Sequence, residues 1–271
     1  MKGISVKQNL EFILNTEGEN WIQGDVIRGT IAVKNNGTSA EKISGSLLVI
    51  LAHGDLKKVH NKSKNAWTVI INKYTTQQEQ EQEQVQAQEH IEIKAGEVFQ
   101  KRFEFKLSID AHITDKSGSL YLLYGCSDEP MENLPHLQLM VNHNQVITFF
   151  IEAVERFVRF KVKQIKFDKD EKYVDIKLIA PATRELSSID SLVCSLKVLE
   201  DKDNPLKIIY HFTLKSLDIA NGGQAELQKK KKDFEQILKQ NEYCIYGNSP
   251  NYDGIKNRFQ EIIKEIIPRL L

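Results

Sequence analysis

Residues Gly24-Asp25-Val26-Ile27-Arg28-Gly29-Thr30-Ile31-Ala32-Val33 set Ile27, Gly29, Ile31 and Val33 at every second position, the spacing that lines one face of an extended strand. Turn-forming stretches bracket this run, Gln23-Gly24-Asp25 before it and Asn35-Asn36-Gly37 after it, where Gly and Asn take positive φ at little cost. The same period recurs on both sides. Leu10, Phe12 and Leu14 precede it, followed by the turn signal Glu17-Gly18-Glu19-Asn20. Ile43, Gly45, Leu47, Val49 and Leu51 follow, then Trp67, Val69 and Ile71. Beyond these come Ile91 and Ile93, a Lys94-Ala95-Gly96-Glu97 turn, Phe99, Phe103, Phe105 and Leu107, and finally Leu120, Leu122 and Tyr124. Short strands joined by tight turns predict an antiparallel sandwich.

Two stretches depart from that rhythm. Gln77 to Gln88 alternates Gln with Glu and is nearly devoid of apolar residues, so it reads as an exposed hairpin tip or loop, or as a polar edge strand that pairs with a partner. From Asn144 the period becomes helical: Val146, Phe150, Val154 and Phe157 align with Ile147 and Ile151, while Glu152, Glu155, Arg156 and Arg159 take the other side. Asn142 or Asn144 is positioned to cap this helix. Strands resume at Phe160 to Phe167, Tyr173 to Ile179, Leu192 to Leu199 and Leu206 to Leu214. The last fifth reads as two helices, one carrying Leu227, Phe234, Ile237 and Leu238, the other Ile255, Phe259, Ile262, Ile263, Ile266 and Ile267.

Composition narrows the function classes. The 271 residues suffice for one large or two modest cores, and 41 % hydrophobic with 27 % charged residues is ordinary for a globular chain. Lys plus Arg equals Asp plus Glu at 37 each, so no global field draws the chain to nucleic acid or anionic lipid. Lys2, Ser5, Lys7 and Gln8 deny the first ten residues the apolar core of a signal peptide, and no apolar run reaches the ~20 residues of a membrane helix. The expected address is cytoplasmic. Cys126, Cys194 and Cys244 are widely spaced and odd in number, which predicts buried thiols in place of a disulfide framework or zinc knuckle.

In its order of elements the chain resembles the arrestin-like superfamily, and most closely its bacterial sporulation-control branch. Gly24 to Val33 is similar to the family's second strand, a Gly-Asp followed by an apolar residue and Gly. Ile93-Lys94-Ala95-Gly96-Glu97 leading to Phe103-Glu104-Phe105-Lys106-Leu107 resembles the turn and Phe-x-Phe-x-Leu strand of the same sandwich. The helix Val146 to Phe157 running into Val158-Arg159-Phe160-Lys161-Val162 resembles that branch's connecting segment. The resemblance covers Leu10 to about Leu199 and implies a mainly β fold: two arrestin-like antiparallel β-sandwich modules joined by a helix, with a helical C-terminal extension. The expected division is 1–143 for the first sandwich, 144–158 for the connecting helix, 159–217 for an abridged second β module, and 218–271 for the helical extension. None of the charged-core or receptor-facing residues of animal arrestins has a counterpart here, so fold transfers and sites do not.

Chemical signatures are missing: no Gly-rich loop ending in Gly-Lys-Ser or Gly-Lys-Thr, no His-Glu-x-x-His, no Gly-x-Ser-x-Gly. The histidines lack ligand spacing; His53, beside Gly54-Asp55, and His112, two residues after Asp110, read as turn residues. Trp21 and Trp67 read as packing residues and not as exposed contact aromatics, and the scattered tyrosines outline no carbohydrate platform. The expectation is therefore a protein that is not an enzyme and carries no cofactor or metal: an adaptor or scaffold of regulatory type that binds a protein partner through a sandwich edge or face. A small-ligand or lipid-binding sandwich is the second reading and an unrecognised hydrolase the third. Candidate contact residues are Lys229, Lys230, Lys231 and Lys232, read on a helix face, and Ile255, Phe259, Ile262 and Ile266, whose apolar face is either core or an interface to a partner or a second copy.

Overall fold

A computed structural model describes residues 1–63, 65–76, 90–219, 225–246 and 249–267. The chain divides into two compact units, Met1–Asn142 and His143–Leu271.

The first unit faces two four-stranded antiparallel sheets. One orders β1 (Lys2–Lys7), β2 (Leu10–Thr16), β4 (Val26–Asn35) and β9 (Val98–Lys106); the other orders β11 (His136–Gln138), β10 (Gly118–Cys126), β6 (Leu47–Asp55) and β7 (Trp67–Thr75). Two small pairs complete it: β3 (Asn20–Ile22) beside β12 (Met140–Asn142) in parallel, and β5 (Glu41–Ser44) beside β8 (His90–Ile93). The period-two residues meet between the sheets. Phe12, Leu14, Ile27, Ile31, Val33, Phe103 and Phe105 face Leu47, Val49, Leu51, Leu120, Leu122 and Tyr124 in one core. Gly29 lies opposite Phe103, where a Cβ would stand 2.2 Å from the Asn15 carbonyl oxygen and 2.7 Å from the Phe103 ring, so the close approach of these strands requires glycine.

Alternation understates this burial. Leu48, Ile50, Ala52, Tyr121 and Leu123, on the opposite faces of β6 and β10, form a second core with Val59, Ala66 and Leu134, under the short helix α1 (Leu56–His60) and the 130–135 segment. His53, read above as a turn residue, is instead 1 % exposed inside β6.

The second unit is one antiparallel sheet in meander order: β13 (Lys161–Phe167), β14 (Val174–Ile179), β15 (Ile189–Val198), β16 (Leu206–Ile219) and β17 (Ala225–Leu238). Helix α2 (Gln145–Phe157) starts under Asn144, whose side chain accepts from the Val146 N–H, and buries Ile147, Phe149, Phe150, Ala153 and Val154. After the short α3 (Gln240–Tyr243), helix α4 (Tyr252–Ile266) closes the unit, with Phe259 meeting Phe150, Phe160 and Tyr210 edge-on. The terminal helix thus supplies apolar cover for the sheet of its own unit.

One expected helix is a strand. The spacing of Leu227, Phe234, Ile237 and Leu238 favours a helix locally, but every residue of β17 pairs with β16, from Ile219 opposite Ala225 to Leu206 opposite Leu238. In that register Gln236 and Leu238 point inward and are buried, while Glu235 and Asp233 meet Lys207 and His211 across the strands at 3.0 Å each. Long-range pairing overrides the helix propensity of a Lys- and Gln-rich run.

Candidate functional site

The two sets of candidate contact residues fare differently. Lys229 to Lys232 lie on β17, an edge strand, and alternation sends Lys229 and Lys231 to one face and Lys230 and Lys232 to the other. Lys229 is drawn to Asp190 at 2.7 Å, and the Lys232 ammonium stands 4.7 Å above the Phe234 ring. Such a row suits protection of an exposed edge from further strand pairing better than it suits a single patch that docks an anionic partner. Ile255, Phe259, Ile262 and Ile266 are all buried, at 6 % exposure or less, and so present no surface. The Gln77 to Gln88 stretch lies outside the described residues.

Structure also brings together groups that sequence distance hides. His53 and His112 stack with ring centroids 4.2 Å apart, and His53 Nδ1 sits 2.7 Å from the Thr68 hydroxyl. A Cβ at Gly118 would fall 2.5 Å from His53 Nε2, so no space for a substrate remains on that side. Asp110 accepts from the Ser108 hydroxyl. Cys126, Asp128 and Glu129 offer a cysteine and two carboxylates within 4.8 Å of one another, but Lys7 already pairs with Glu129 at 2.9 Å. Burial, with the Asp128 and Glu129 charges, pushes the Cys126 thiol up to about 12, so without a cation it keeps its proton at neutral pH.

An exposed apolar surface appears instead on β7, an outer strand of its sheet among the described residues. Val69, Ile70 and Ile71 are 48 %, 57 % and 38 % exposed, and no charged residue occurs from Trp67 to Asn72. Beyond Asn72 the strand carries Lys73, and other edges are more heavily charged: Lys101, Arg102, Glu104 and Lys106 on β9, Lys161, Lys163 and Lys166 on β13, and the lysine row on β17, while β1 sets its exposed Ile4 and Val6 between Lys2 and Lys7. Thr68 and Ile71 have no counterpart on β6, and these two bulges turn the consecutive Ile70 and Ile71 outward. They also interrupt the regular row of donors and acceptors, so the edge can extend the sheet over only a short length. The sequence carries the signal as Val69-Ile70-Ile71, three branched residues in a run where strict alternation would place a polar one.

Comparison with solved structures gives the fold. The Bacillus subtilis sporulation control protein Spo0M overlays 96 % of this chain and 99 % of its own at a TM-score of 0.60, with 15 % identity. The chain has a Spo0M-like, mainly β fold. The C-terminal domain of wzt covers 53 % of this chain at a TM-score of 0.28, and a β-glucosidase from Listeria innocua covers 51 % at 0.27; neither overlap carries weight. No family model matches the chain, and no curated protein matches it. At 15 % identity the Spo0M likeness speaks to architecture and not to any residue of β7. Among the described residues no helix is long and apolar enough to cross a membrane.

Proposed function

We propose that this chain is a cytoplasmic, non-catalytic adaptor of regulatory type that engages a protein partner through the β7 edge of its first unit. The observation that carries this reading is the uncharged stretch Trp67 to Asn72 with the consecutive Val69, Ile70 and Ile71 exposed, whereas the exposed Ile4 and Val6 of β1 stand singly between Lys2 and Lys7 and the edges β9, β13 and β17 carry rows of charge. The partner element that fits is an extended apolar segment, adding a few backbone hydrogen bonds to β7 and packing branched side chains on Ile70 and Ile71. A likeness in fold to a sporulation control protein supports a regulatory role. A non-catalytic reading is supported by the histidine pair, where His53 is sealed from solvent and crowded by Gly118 and Thr68.

A photo-crosslinking amino acid at position 71, used in cytosol of the native host and read by mass spectrometry, tests it. Crosslinks should map to an apolar segment of another protein and disappear in Ile70→Lys, a surface change expected to leave the melting temperature nearly unaltered. Unchanged crosslinking in Ile70→Lys refutes β7 as the docking edge, and crosslinks solely to a second copy of this chain replace the adaptor reading with self-association.

A further inference from the structure

Helix α1 ends in a conformation that costs stability. The Lys62 N–H donates to the Val59 carbonyl and the Ser63 N–H to the Lys58 carbonyl, the paired bonds of a helix end whose left-handed residue is ordinarily glycine. Here that residue is Lys62, at φ +48°, a region in which a side chain is disfavoured relative to glycine. Asn65, at φ +63°, bends the chain again three residues on. Lys62 and Ser63 line a cavity of about 400 Å³ whose floor is Val59, Ala66 and Leu134, all buried.

Trp67 lines the same cavity. Its indole is held edge-on by Tyr121 and by His136, each with centroids at 5.3 Å, so it is fixed before any ligand arrives. Desolvation, and then the nearby Lys62 charge, push the His136 imidazole below its ordinary value, leaving it uncharged at neutral pH. Lys62 and Glu132 also line the cavity; both are exposed, and neither forms an ion pair among the described residues. Among the described residues, a cation and an anion without ion-pair partners and an apolar floor therefore line the same small cavity.

We propose that this cavity binds a free α-amino acid with a large apolar side chain, its carboxylate on Lys62, its ammonium on Glu132, and its side chain on Val59, Ala66 and Leu134 against Trp67. The volume lies at the small end of ligand sites and has room for one such molecule. Opposite charges at the rim select a zwitterion. A fatty acid would bring its carboxylate past Glu132, and a sugar would leave both charges uncompensated and the floor bare.

The test is a titration of the full chain with L-leucine, followed by tryptophan emission. Trp21 is 5 % exposed in the sandwich core, so a response reports Trp67. A saturable change is expected with L-leucine, with at least tenfold weaker binding for leucinamide, which lacks the carboxylate, and for 4-methylpentanoate, which lacks the ammonium. Lys62→Gly should weaken L-leucine binding tenfold or more while the melting temperature holds or rises, and Glu132→Gln should weaken it without unfolding the chain. No saturable response to L-leucine up to roughly 10 mM, ten times the weak end of small-ligand affinity, overturns the proposal. Equal binding by Lys62→Gly, or by glucose or either analogue, overturns it as well.

Discussion

Replacing Phe259 by alanine removes the ring on which three others converge, at 5.3 Å to Phe160, 5.8 Å to Tyr210 and 6.1 Å to Phe150. The side chain is 1 % exposed, and truncating a buried Phe costs about 3–5 kcal/mol. The partners come from α2, the residue just before β13, and β16, so no single element can shift to fill the void. A loss of about 4 kcal/mol is the expected value. The second unit holds 129 residues, counted from 143 to 271, and unfolds with roughly 0.27 kcal/mol/K of entropy at about 2.1 cal/mol/K per residue. Its melting midpoint should therefore fall by about 15 °C. Differential scanning calorimetry of the full chain reads this, with the transition of the first unit expected to stay in place. A fall of less than about 4 °C, equivalent to about 1 kcal/mol, would refute the assignment of the α4 apolar face to the core and return it to the list of partner surfaces.

Two further outcomes are expected. Gly29→Ala would set a Cβ 2.2 Å from a backbone oxygen that β2 cannot move without losing its pairing to β4, so the first unit should lose about 1–3 kcal/mol in urea unfolding; a change within 0.5 kcal/mol would contradict the close approach. The hydrogen bond from Lys229, followed by the charges of Lys229 and Lys215, holds the Asp190 carboxyl below its ordinary range. Because the folded value lies below the unfolded one, the stabilisation is complete above an unfolded pKa of about 3.9 and fades as pH falls through the folded value. Carboxyl-carbon NMR should show a low Asp190 midpoint that rises in Lys229→Ala, and an unmoved midpoint would mean that the pair does not form.

What the sequence determined by itself is what local periodicity encodes. The strands around Leu14, Ile31, Val49, Phe105 and Leu122 are legible because neighbours two residues apart share a face, and the Asn144-capped helix is legible because its apolar residues recur at 3.6. Tertiary structure alone decided the rest. The run 225–238 became a strand because β16 lay beside it along its whole length, a pairing no window of local sequence contains. Burial of Leu48, Ile50 and Tyr121 on the outer sheet face depended on α1 and the 130–135 segment folding over them. The same holds for the sites: Trp67, Tyr121 and His136 are distant in sequence, and the pairing of β7, β6, β10 and β11 sets their rings in contact, while His112, from the segment between β9 and β10, stacks on His53 of β6. The exposure of Val69, Ile70 and Ile71 arises from the same cause, since an apolar run is core or surface according to what the sheet places next to it.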